Sequence, residues 1–209
     1  MTGEAETSRS QPDLRQVIAD SVNQLMSSDD LPVEHRLKSP ARPEQITIRS
    51  QRTWHDVTTI NTRLAGGSFS ACIAQLEDGD DLYSFFIEAV LPPDETEWRW
   101  AGSSGGKQPL ELRDRAGGLM IAGRSHICVG GIGHVPDGGK LRVEMADGSV
   151  HEETAVDGCC VAFAPVTAQP SPDDHVTIRW FDADATELGS DRHWVGDGGP
   201  PPGVRPARS

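Results

Sequence analysis

The chain has 209 residues, 36% of them hydrophobic, and 32 acidic against 19 basic side chains, for a formal net charge of −13. That length fits one large β domain or two small ones, and with 22 glycines added the apolar share reaches the ordinary globular value of roughly 45–50%. The acidic field repels phosphate backbones and anionic headgroups, which argues against nucleic acid or a membrane surface as partner.

Residues 1–9 are polar and read as disordered. They hold no apolar core of a secretory signal, and no run in the chain approaches the ~18 apolar residues of a membrane span. With four cysteines at 72, 128, 159 and 160, the expectation is a cytoplasmic protein with reduced thiols.

Residues 10–27 read as an amphipathic helix. Ser10 is an oxygen-bearing cap, Pro12 fits the first turn and Asp13 follows three residues after the cap. Leu14, Val17, Ile18, Val22 and Leu25 then fall at helical spacing. So short a helix must pack on something, either the β body or another chain. This stripe is the candidate partner-binding surface, for a protein partner or for self-association. Residues 28–44 carry Pro32, Pro40 and Pro43 and read as a linker.

From 45 the period changes to two, and residues 45–117 read as a first β module. Ile46 and Ile48 alternate with Thr47 and Arg49, Gly66-Gly67 and Asp78-Gly79 mark turns, and Leu82 to Leu91 is a long strand interrupted by Glu88. Trp98 and Trp100 lie two apart, so on a strand both point to one face. They form a candidate platform for a carbohydrate or small molecule, set against plain core packing. Residues 103–109 read as a loop.

Residues 118–190 read as a second β module. Asp147-Gly148 and Asp157-Gly158 separate LRVEMA, SVHEETAV and CCVAFA. Asp-Gly between alternating apolar runs predicts two-residue type I′ turns, because both positions need φ > 0. The expected product is an antiparallel meander with Leu141, Val143, Cys159, Val161 and Phe163 buried. Alternation then sends Cys160 outward with Ala162 and Ala164. Further on, Val176, Ile178 and Trp180 share a face, and FDADATELG follows. An aromatic strand, an Asp-rich turn and a short closing strand resemble the last hairpin of bacterial immunoglobulin-like domains, with Ala185-Thr186 where a glycine is usual. The resemblance covers residues 118–190 and implies a sandwich fold without activity. The preference for Arg over Lys, with heavy Gly, Ala, Asp and Pro, resembles β proteins of actinobacteria and their phages. The tail, residues 191–209, is a Pro/Gly segment that reads as disordered.

His126 and Cys128 lie on one strand face and could share a metal if His134, Cys159 or Cys160 supplied further ligands. Paired CxxC knuckles are absent, and a small buried thiol beside an imidazole explains the pair as well. His55-Asp56 with Cys72 or Ser70 spells a triad only on paper, since GGSFS lacks the framing of a nucleophile elbow. Gly102 to Lys107 and the Gly130-Gly131-x-Gly133 run both fail the phosphate-loop and dinucleotide patterns. No cofactor and no metal is expected.

These readings add up to a mainly β protein: an antiparallel β-sandwich of two packed modules with one N-terminal amphipathic helix. The expected function is a non-catalytic interaction or accessory protein. The alternative is a carbohydrate- or small-molecule-binding β module. A metal- or thiol-dependent enzyme comes third.

Overall fold

The protein is mainly β with antiparallel sheets and one N-terminal helix. Its computed structural model describes residues 14–59, 66–108, 117–123, 126–132, 135–169, 171 and 174–194. The expected disorder of 1–9, the helix start at 10–13 and most of the Pro/Gly tail lie outside these residues. The order is α1 (Leu14–Met26), β1 (Ile46–Val57), β2 (Gly67–Asp78), β3 (Asp81–Leu91), β4 (Arg99–Lys107), β5 (Gly117–Gly123), β6 (His126–Ile132), β7 (Lys140–Glu144), β8 (Val150–Thr154), β9 (Cys159–Pro165), β10 (His175–Phe181) and β11 (Glu187–Trp194).

Among the described residues three sheets form: β1-β2-β3-β4, β5-β6-β9 and β11-β10-β7-β8. Three apolar clusters stack them. Ile18, Ala19, Val22 and Met26 of α1 meet Cys72, Ala74, Leu76, Tyr83, Phe85 and Ile87 of the first sheet. The opposite face of that sheet, with Phe69, Ala71, Ile73 and Phe86, meets Cys128, Cys159, Val161 and Phe163. The far face of β6 and β9, with Ile127, Val129, Cys160, Ala162 and Ala164, meets Leu141, Val143, Val176 and Ile178. Strands apolar on both faces therefore lie between layers, and each large side chain so enclosed contributes roughly 1.5–3 kcal/mol.

Several expectations change in this frame. Of the helix stripe Leu14, Val17, Ile18, Val22 and Leu25, all but Val17 face the β body, one of the two surfaces expected for it. Ile18 and Val22 are fully buried, while Leu14 and Leu25 pack on the same intramolecular cluster. The segment read as a linker is also docked. Asn23 exchanges two hydrogen bonds with the Ala41 main chain at 2.9 and 2.6 Å, and the Tyr83 hydroxyl donates to Arg36 O at 3.1 Å. Residues read as a glycine loop form the end of β4, which pairs with β3 from Val90↔Arg99 to Tyr83↔Lys107. At the C-terminal end β11 runs on to Trp194, four residues past the expected boundary.

The meander is broken. β7 and β8 form a hairpin, but its loop is longer than two residues: Met145 N–H donates to Ser149 O and only Gly148 takes positive φ, at 85°. Asp157 and Gly158 do form the two-residue turn, with φ 51° and 69°. Yet a single bridge, Val156↔Cys159, follows, and β9 then leaves β8 to pair with β6. The sequence explains the parting. CCVAFA is apolar on both faces and belongs between layers, whereas HEET keeps β8 at the rim. Cys160 is thereby buried at 1% exposure instead of facing outward.

Candidate functional site

Two clusters of ionisable groups stand out, one enclosed and one open. The enclosed one lies between the first and middle sheets. Glu88 is 2% exposed and its Oε1 lies 3.2 Å from His126 Nε2. The His126 ring packs on Phe69 and Phe163, with centroids at 4.8 and 5.8 Å. Cys128 hydrogen-bonds to the same carboxylate; burial, then the Glu88 charge, push its thiol well above its ordinary range. Gly102 sits opposite Glu88 in the β3–β4 ladder, and a Cβ there would lie 2.9 Å from Glu88 Oε2. A buried polar group this well partnered ties two sheets together.

His126 and Cys128 therefore do share a face, as expected, but their partner is Glu88. Cys160 belongs to the opposite face of β9 and cannot join them. His134 lies outside the described residues. No three His, Cys, Asp or Glu among the described residues are grouped so as to hold a metal ion. Desolvation suppresses the thiolates elsewhere as well: Cys72 is pushed up to about 12 and Cys159 is raised.

The paper triad does not assemble. The Ser70 hydroxyl donates to Arg52 O at 3.1 Å, Cys72 faces the helix, and His55 Nδ1 pairs instead with Ser68 Oγ at 2.9 Å. Nor do the two indoles form an open platform. Trp98 is buried at 6% exposure while Trp100 is 46% exposed. Trp98 precedes the first residue of β4, so strand alternation does not bind the pair.

The open cluster lines a cleft of about 580 Å³ between Trp54, His55, Asp56, Val57 and Thr58 on one side and Val150, His151, Glu152 and Glu153 on the other, with Phe163 and Pro165 behind. Its origin is the parting of β8 from β9. Past the Asp157-Gly158 turn, the residues that a longer hairpin would pair stand apart, and the end of β1 closes the third side. The Trp54 ring lies against Phe163 at 4.9 Å. Between Trp54 and Val57 the β1–β2 register slips, and Asp56 takes φ 52°. Such a bulge re-aims side chains at a strand edge, and aspartate tolerates that conformation better than most residues.

Two ionisable groups of the cleft, His151 and Glu153, are only partly hydrated. Burial holds the His151 imidazole below its ordinary value and the Glu153 carboxyl above its own, while Arg52 at 3.3 Å opposes the second shift. Both shifts favour the neutral forms, as expected where water is partly excluded. A roomy cleft with an aromatic wall and perturbed polar groups is the usual signature of a binding site. Trp54, His151 and Glu153 were not singled out from sequence. Only Glu88 left a signal, as the one acid inside a greasy run. No helix among the described residues is long and apolar enough to cross a membrane. No protein-family model matches this chain, and no curated protein matches it.

Proposed function

We propose that the chain is a non-catalytic, cytoplasmic accessory protein that works by binding, with the β1–β8–β9 cleft as its contact. The observation that carries this reading is the convergence of Trp54, Phe163, His151 and Glu153 on one open cleft. The packing of Leu14, Ile18, Val22 and Leu25 on the chain's own core favours the cleft over the helix as the contact. The raised thiols of Cys72, Cys128 and Cys159 speak against thiol chemistry. The immunoglobulin-like resemblance of 118–190 belongs to the same reading, since a sandwich is a rigid frame on which an edge cleft can be displayed.

Thr58 is exposed and lines the cleft, so Thr58→Trp fills it without touching the core. Immobilised wild-type chain should retain a component of its source cell extract that the Thr58→Trp chain does not. Identical retention by both would overturn the cleft as the contact. A second reading, a carbohydrate or small-molecule site, draws on the Trp54–Phe163 wall alone. A glycan array signal lost in Thr58→Trp would favour it.

A further inference from the structure

The edge of β8 is unfinished. Met145 N–H donates to Ser149 O and Ala155 N–H to Gly139 O, and the β7–β8 register runs unbroken between them. Hydrogen-bonded and non-hydrogen-bonded pairs alternate in an antiparallel ladder. Leu141/Glu153 and Val143/His151 are therefore the bonded pairs, and the main-chain N–H and C=O groups of Val150, Glu152 and Thr154 point away from β7. No strand pairs with that edge among the described residues. β9, which leads away from the same turn, is likewise the last strand of its sheet. Pro165 at its end has no N–H to offer across the gap.

The cleft beside this edge is acidic and aromatic. Its lining includes Asp56, Glu152 and Glu153 but neither lysine nor arginine. Glu152 is already matched by Lys140 and Arg142, and Glu153 by Arg52. Asp56, exposed on its bulge and in no ion pair among the described residues, is the acid that an incoming cation meets. The net charge of −13 favours approach of a basic segment from a distance.

We infer that the cleft takes an extended peptide segment with basic side chains, which adds as a strand to the free edge of β8. The inference rests on the binding reading above and names its partner by chemistry. Main-chain hydrogen bonds to Val150, Glu152 and Thr154 supply register, and alternate side chains meet either the Trp54–Phe163 wall or the Asp56 carboxylate. β8 has five residues, so the paired stretch is about 17 Å long at ~3.4 Å per residue.

The test is fluorescence anisotropy on the full chain with a labelled octapeptide of alternating Lys and Val. Comparison peptides replace Lys by Glu, or carry N-methyl groups on every valine or on every lysine. The Lys-Val peptide should bind at least about tenfold more tightly than the Glu-Val peptide and than one of the two N-methylated versions. Val150→Pro removes an outward N–H while leaving every bond to β7 in place, and should weaken binding about tenfold with little change in melting temperature. If that variant fails to fold, Asp56→Asn, which suits φ 52° equally well, should weaken Lys-Val binding alone. Equal binding of the Lys-Val and Glu-Val peptides, indifference to both N-methylated versions, or no binding at about 1 mM would overturn strand addition. Displacement of the peptide by spermidine, together with indifference to N-methylation, would make the site one for small cations and would also overturn it. If the peptides fail while Thr58→Trp still abolishes partner capture, only the partner chemistry is wrong. If Thr58→Trp changes nothing, the cleft reading falls with it.

Discussion

Two Glu–His pairs among the described residues are put to opposite uses. Glu88 and His126 come from different sheets, meet at 3.2 Å and are shut away from water. His151 and Glu153 come from one strand, two residues apart, and face space. In the first pair each group is the other's solvent, and Cys128 completes the shell. In the second, Glu153 leans on Arg52, His151 is desolvated with the Asp147 charge only partly opposing that, and the remaining room is open to a guest. Burial with a partner makes a structural clasp, whereas partial burial beside a void makes a site.

The sharpest break of that comparison is Glu88→Ala. Removing one member of an enclosed pair should cost about 3–5 kcal/mol in denaturant unfolding. Glu153→Ala, at the rim, should cost about 0–1 kcal/mol. Replacing Glu88 and His126 together by leucine should recover most of the first loss, because no polar group is then left stranded. Equal costs for the two single variants would erase the distinction.

Gly130→Ala probes how little slack the middle layer holds. A Cβ there would meet the Phe86 ring at 2.5 Å, and overpacking of this kind costs about 1–3 kcal/mol. The rim inverts the sign. Ala185 takes φ 64° in the β10–β11 turn, so Ala185→Gly should stabilise by about 0.5–1 kcal/mol, as relief of left-handed strain exceeds the entropy cost of glycine. Thermal melts of the two variants should move in opposite directions.

The smallest expected effects are those of pH on the cleft. Glu153 is raised above its ordinary 4.5 by burial, so between that value and its folded titration the folded chain holds a proton that the unfolded chain has released. Stability contributed there falls as pH rises. His151 is lowered below its ordinary 6.5, again by burial, so the unfolded chain takes up its proton first and stability falls as pH drops through 6.5. Glu153→Gln should therefore gain on wild type toward pH 7, and His151→Gln should gain toward pH 5, each within about 0.5 kcal/mol. Differences from wild type that stay flat with pH would show that the cleft is as well hydrated as the open surface.

Much of the architecture is legible along the chain. Two-residue alternation marks β1, β2, β7 and β10, the stripe from Leu14 to Leu25 marks α1, and Asp157-Gly158 marks its turn, because periodicity and turn chemistry are local properties. The run CCVAFA was legible as a strand. Its place between two sheets was not, since burial of Cys160 depends on Leu141 and Val143 arriving from another layer. Trp98 and Trp100 illustrate the same limit: a spacing of two fixes a shared face only where both residues sit inside one strand.

What the amino-acid order determined by itself is most of the strands, the Asp157-Gly158 turn and the greater part of the apolar faces they must hide. Tertiary structure alone decided which faces hide one another. It set Glu88 beside His126, parted β8 from β9, and brought Trp54 of one sheet within 4.9 Å of Phe163 in another. Periodicity reports which way a side chain points from its own backbone. A cleft exists only between backbones, and its position follows from long-range packing that no local window contains.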